Sequence, residues 1–172
     1  MIGLLILQSL YFFLPAYVAN MAPVLFKWIP WLSKPVHERL FGGHKTWRGI
    51  IVAIIMGTIV FALQKYAYAL GFNRIALIDY NGFPFWMGAL LGAGAILGDA
   101  VESYYKRKAG IPPGHSWMPW DQLDFVIGGV LLGMILYVPP AEVVLILLVA
   151  SPLLHMAANY IGYLCGINEK KY

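Results

Sequence analysis

The chain has 172 residues, of which 60% are hydrophobic and only 12% charged, with a net charge of +4. A soluble domain carries about 25% charged residues, and one of this size has too little interior to hide so much apolar surface. The composition excludes a water-soluble globular protein and points to an all-α integral membrane protein, one domain over residues 1–172.

A crossing of the bilayer takes about 20 mostly apolar residues. Five segments meet or approach that: Ile2–Phe26, Gly49–Leu70, Phe83–Tyr105, Leu123–Val138 and Ala141–Leu164. The first lacks the basic start of a signal peptide and reads as a retained helix, kinked at Pro15. The fourth is short unless it begins at Asp121. Pro139-Pro140 predicts a tight turn before the fifth. Lone Cys165 has no partner for an internal disulfide and reads as a packed thiol. Gly88, Gly92, Gly94 and Gly98, with Ala93 and Ala95, form a small-residue face for helix contact, as do Gly128, Gly129 and Gly133.

Basic residues alternate between connections. Lys27, Lys34, Arg39, Lys45 and Arg48 flank the first loop. Lys106, Arg107 and Lys108 open the third, and Lys170 and Lys171 lie at the C-terminus. The other connections hold only Arg74, with Lys65 close by. Lys and Arg collect on the cytoplasmic side. The N-terminus is therefore expected outside and the C-terminus inside, with two cytoplasmic loops able to form a site.

The stretch GDAVESYYKRKAGIPPGHSWMPWDQLD, Gly98 to Asp124, holds Asp99, Glu102, Asp121 and Asp124, half of the eight carboxylates in the chain. Asp99 and Glu102 are three apart on one helix face, and Asp121 and Asp124 repeat that spacing. Charge inside hydrocarbon is costly and usually faces a polar cavity or a partner. Each acid also has an ordinary use: Asp121 as a helix N-cap, Asp124 as a first-turn charge, Glu102 as the i,i+4 partner of Lys106, Asp99 as a neutral bundle group. Together they suit a hard cation such as Mg²⁺, with Lys106 and Arg107 neutralising phosphate and Lys108 an interfacial anchor. In FGGHKTWRG, Gly42 and Gly43 allow close backbone approach, and Lys45, Thr46 and Arg48 offer phosphate donors. Trp47 is a stacking or an interfacial ring. The spacing is not that of a P-loop.

GDAVESYYKR, then PGH, then DQLD resembles the signature of the phosphatidate cytidylyltransferase superfamily, and HKTWRG resembles its KKTWEG element. The compact five-span form with DQLD resembles the archaeal CDP-archaeol synthases. That resemblance implies transfer of CMP from CTP to 2,3-bis-O-(geranylgeranyl)-sn-glycerol 1-phosphate, an isoprenoid ether lipid phosphate, with Mg²⁺ as cofactor. The products would be a CDP-activated lipid and pyrophosphate. It implies Asp121 and Asp124 as Mg²⁺ ligands, with Asp99 as a third. Lys106 and Arg107 would bind phosphates in catalysis, and Lys45, Thr46, Trp47, Arg48, Ser103 and His115 would contact substrate. Ser103 could instead bond its own helix, and His115 could be structural. KRKAGIPPGH lacks an Asp of the broader pattern, HSWMPWD replaces a glycine-rich segment, and Arg48 stands where that pattern has Glu.

Three other readings remain open at this point: an ester-lipid phosphatidate cytidylyltransferase, a CTP-dependent polyprenol kinase, and a small cation transporter. A transporter would carry its acids near mid-span, whereas these lie toward span ends beside cations. No nucleic-acid partner is implied, and the residues carry no sign of an oligomeric state.

Overall fold

The computed structural model describes residues 2–43, 45–112 and 115–164. Cys165, Lys170, Lys171, His44 and the Pro113-Gly114 part of the PGH loop lie outside the described residues. All regular structure there is helical: α1 Ile2–Leu25, α2 Glu38–Phe41, α3 Trp47–Ala69, α4 Met87–Lys108, α5 Trp120–Gly133 and α6 Ala141–Leu164. One 3₁₀ turn, Tyr80–Gly82, stands between α3 and α4.

Helix starts follow local chemistry. Thr46 caps α3, its hydroxyl accepting the Gly49 N–H at 3.2 Å. Proline precedes the first helical residue of α5 (Pro119) and of α6 (Pro140), pre-setting φ where no donor is needed. The third expected span began at Phe83, but α4 starts four residues later. Pro84 and Phe85 form a turn instead, with Met87 N–H donating to Pro84 O at 3.1 Å. α5 starts before the expected Leu123 and stops at Gly133, where the chain tightens into i→i+3 bonds from Ile135 to Leu132 (3.2 Å) and Leu136 to Gly133 (3.1 Å). Its 14 residues reach about 21 Å, less than a hydrocarbon core of about 30 Å. α1 continues through Pro15 and Pro23.

α4 is the central helix, packed between α3 and α5 and touched by α1, with α6 against α1 and α5. Glycines make these contacts close. A Cβ on Gly88 would overlap the Gly57 carbonyl of α3, and one on Gly94 or Gly98 would overlap the Gly128 or Asp124 carbonyl of α5. The small-residue faces expected from sequence are thus helix seams. Phe12, Phe13, Phe61, Tyr80, Met87, Leu91, Phe125, Val126, Val143 and Leu147 fill the core.

The outward faces are also apolar. Ile55, Ile59 and Leu63 on α3 and Leu145, Val149 and Leu153 on α6 form exposed stripes. Contiguous apolar surface of that extent needs another apolar phase against it. α1 and α3 are long and apolar enough to cross a membrane. At the end of the bundle where α3 finishes, Lys65 Nζ donates to the carbonyls of Tyr80, Asn81 and Phe83 at 2.9, 3.0 and 2.6 Å, tying the following loop down. The opposite end carries Asp99, Glu102, Asp121 and Asp124.

Candidate active site

The start of α3, the end of α4 and the start of α5 meet at one end of the bundle. The seam at Gly98 sets how closely. With no side chain there, the Asp124 backbone lies against α4 and its carboxyl comes beside Asp99 and Glu102. One ligand oxygen from each of Asp99, Glu102 and Asp124 can be chosen so that all lie within 4.8 Å of one another. Glu102 Oε1 is buried and accepts no hydrogen bond; Lys106 Nζ stands 3.4 Å away, an ion pair without bonding geometry. An oxygen-only cluster with an orphaned buried oxygen fits a hard divalent cation.

Two lysines pair with acids here. Lys106 donates to Asp121 Oδ1 at 2.6 Å and forms the expected i,i+4 pair with Glu102. Lys45, from the loop before α3, pairs with Asp99. Its backbone is fixed by a two-strand lacing: Val36 N–H to Lys45 O (2.8 Å), Trp47 N–H to Lys34 O (3.3 Å), and a bridge between Pro35 and Thr46.

The expected residues separate as follows. Asp124 and Asp99 come together, joined by Glu102, which the sequence offers both as the i,i+4 partner of Lys106 and as one of four acids suited to a hard cation. Asp121 is not in that group: it takes Lys106 and the Trp117 N–H (2.5 Å), and does not cap its helix, whose cap position is Pro119. A carboxylate in a first helical turn can turn back to the loop, so DxxD spacing alone did not settle one destination for both acids. Arg48 donates to the Ile29 carbonyl, bracing the first loop rather than reaching the acids. Arg107 donates to Ile111 O at 2.5 Å, with Nε buried and unpartnered. Ser103 Oγ lies 3.5 Å from Glu102 Oε2. The Thr46 side chain caps α3. Trp47 and His115 are exposed, the latter with its N–H to Pro112 O at 3.3 Å.

Two cavities flank α4. One, about 510 Å³, runs between α4 and α5, lined by Leu97, Val101, Tyr105, Trp117, Trp120, Ile127 and Leu131, with Glu102 and Asp124 at its polar end. Its α4 side is an i,i+4 series (Leu97, Val101, Tyr105), a signal present in the sequence but indistinguishable from ordinary lipid-facing surface. The other, about 320 Å³, is lined by Leu40, Tyr104, Arg107 and Lys108, where α2 sits on α4.

An all-helical bundle with an apolar exterior, whose lysine-paired acids open onto an apolar groove, is built as a membrane-embedded enzyme. The chain belongs to the CDP-archaeol synthase family: the family model described as CarS-like, CDP-archaeol synthase, matches residues 1–172. It is 35% identical to the CDP-archaeol synthase of Methanocaldococcus jannaschii, over 96% of each chain. It is 31% identical to that of Pyrococcus furiosus, over 92% of this chain and 93% of the relative. A solved structure described as an intramembrane enzyme for archaeal membrane lipids biosynthesis superposes with a TM-score of 0.70 at 29% identity, covering 90% of this chain and 94% of the other.

Proposed function

We propose that this chain transfers CMP from CTP to an isoprenoid ether lipid phosphate, 2,3-bis-O-(geranylgeranyl)-sn-glycerol 1-phosphate, releasing pyrophosphate. A phosphate oxygen of the lipid attacks the α-phosphorus of CTP and the bond to the β-phosphate oxygen breaks. The attacking lipid oxygen is already anionic, so no strong base is needed, and the leaving oxygen departs with the electron pair as part of pyrophosphate. The barrier lies in bringing two anions together, and positioned cations lower it.

The observation that carries this reading is the double membership of Glu102 and Asp124, which belong both to the carboxylate group and to the lining of the apolar groove. A lipid chain in the groove would leave its phosphate beside the acids. Asp99, Glu102 and Asp124 would hold Mg²⁺, which supplies charge neutralisation and polarises phosphate oxygens. Lys106, positioned by Asp121, faces the reacting phosphates. Arg107 and Lys108, with Tyr104, give the second cavity its cationic lining and suit it to the nucleotide's phosphates. Lys45, Thr46, Trp47, Ser103 and His115 would contact the substrates.

In the membrane, the single domain of residues 1–172 crosses five times, N-terminus outside. Its site faces the cytoplasm, the side where Lys27, Lys34, Lys45 and Lys106 to Lys108 collect and where CTP is available. The assay is purified protein with α-labelled CTP, Mg²⁺ and three acceptors: the ether lipid phosphate, phosphatidate and a polyprenol. Labelled CDP-lipid and pyrophosphate from the ether acceptor are expected. Labelled CDP as product from polyprenol would make it a kinase, and neither labelled lipid nor labelled CDP with any acceptor overturns the enzyme reading.

A further inference from the structure

We infer that Lys45 is a built-in counter-ion that occupies the carboxylate centre until a divalent cation arrives, and then moves to the phosphate of the incoming nucleotide. The inference rests on the metal role proposed for Asp99, Glu102 and Asp124.

The argument starts from how differently the two lysines are held. Lys106 has Asp121 as a partner outside the carboxylate group, so it stays anchored if Glu102 turns to a metal. Its side chain is only 10% exposed. Among the described residues, the ion-pair partner of Lys45 is Asp99, itself a member of the group, and the two side chains are 22% and 28% exposed. A cation bound by Asp99 therefore competes directly with the Lys45 ammonium. It does not have to displace Lys106.

Lys45 can leave cheaply. Lacing to Val36, together with the lacing of Trp47 to Lys34, holds its backbone, so only a flexible four-carbon side chain has to swing. A partly exposed ion pair is worth little, so breaking it costs a modest amount that the metal's charge offsets. Without this lysine the three acids would repel one another between turnovers. With it, part of that charge is offset, and the ammonium is released beside the centre as nucleotide phosphates enter. Metal thus binds before, or together with, nucleotide.

The test uses the full-length protein in detergent and has two readouts besides turnover. The first is Mg²⁺ titration by calorimetry in the absence of CTP. Lys45→Met removes the ammonium at similar length and should bind Mg²⁺ about fivefold tighter, the size of a partly exposed ion pair that no longer has to be broken. Lys45→Arg keeps a competing cation and should bind no tighter than the unsubstituted protein. Lys34→Met removes a charge from the same loop away from the acids and should leave Mg²⁺ affinity unchanged. The second readout is amine labelling of Lys45, followed by peptide mapping. Labelling should rise when Mg²⁺ is added and fall when CTP follows.

Lys45→Met with unaltered Mg²⁺ affinity, or Lys45 labelling that ignores Mg²⁺, overturns the exchange while leaving the metal centre standing. Equal tightening in Lys34→Met and Lys45→Met also overturns it, because the effect is then long-range charge alone. Absence of Mg²⁺ binding in both the unsubstituted protein and Lys45→Met removes the metal centre itself, and the exchange with it.

Discussion

Asp121 and Asp124 lie one helical turn apart, yet the structure gives them different neighbours, and their substitutions should therefore differ in kind. Asp124 shares the carboxylate group with Asp99 and Glu102. Asp124→Asn removes a ligand oxygen's charge and should lower both Mg²⁺ affinity and transfer by more than about 100-fold, beyond the loss that follows removal of a supporting group. Asp121 instead holds Lys106 at 2.6 Å and the Trp117 N–H at 2.5 Å. Asp121→Asn should lower kcat roughly 10–100-fold by loosening Lys106, with Mg²⁺ affinity close to that of the unsubstituted protein. Calorimetry beside the radiolabel assay separates the two, and equal loss of metal from both would return Asp121 to the metal. The chemistry of the acids was legible from their clustering with cations. Their division of labour was not, because it depends on Lys106 standing between α4 and α5, a contact across 15 positions that no spacing rule encodes.

The α4–α5 seam is where element packing sets site geometry. A methyl group on Gly98 meets the Asp124 carbonyl, and one on Gly128 meets the Gly94 carbonyl, backbone atoms that cannot yield as a side-chain tip would. Gly98→Ala and Gly128→Ala should each cost about 1–3 kcal/mol as overpacked contacts, read as a lower unfolding temperature in detergent. Gly98→Ala should also weaken Mg²⁺ binding, since it pushes Asp124 away from Asp99. Gly3→Ala is the control, with open space around its Cβ. Small residues at helical spacing made these seams readable in the sequence, as apolar length did for α1 and α3. The start of α4 and the end of α5 were less readable. Phe83, Pro84 and Phe85 are as apolar as a helix, but Pro84 takes them into a turn. Leu132 to Tyr137 are as apolar as the helix before them, but the backbone tightens there into i→i+3 bonds. Hydropathy reports which phase a residue prefers, not which backbone bond it makes.

At the scale of the molecule, the proposed reaction brings a water-borne nucleotide to a lipid-borne phosphate, and both cavities lie along α4. The groove on its α5 side runs from Glu102 and Asp124 to Leu131. Asp124 and Leu131 are seven positions apart, about 10 Å along the helix axis. That length takes the part of an acyl or isoprenoid chain nearest the headgroup and leaves the remainder in the bilayer. Leu131 lines the groove but is 60% exposed, so it can be enlarged without disturbing the core. Leu131→Trp should obstruct the far half of the groove and lower kcat/KM for the long-chain acceptor roughly tenfold, in the range a misfitted apolar pocket produces. CTP affinity should stay unchanged, because Leu131 does not line the cavity proposed for the nucleotide. A lipid phosphate with chains too short to reach Leu131 should be used equally well by both proteins. That chain-length dependence distinguishes an occupied groove from a general disturbance of α5, which would slow long and short acceptors alike. If the substitution slows both equally, the lipid chain does not run along α5.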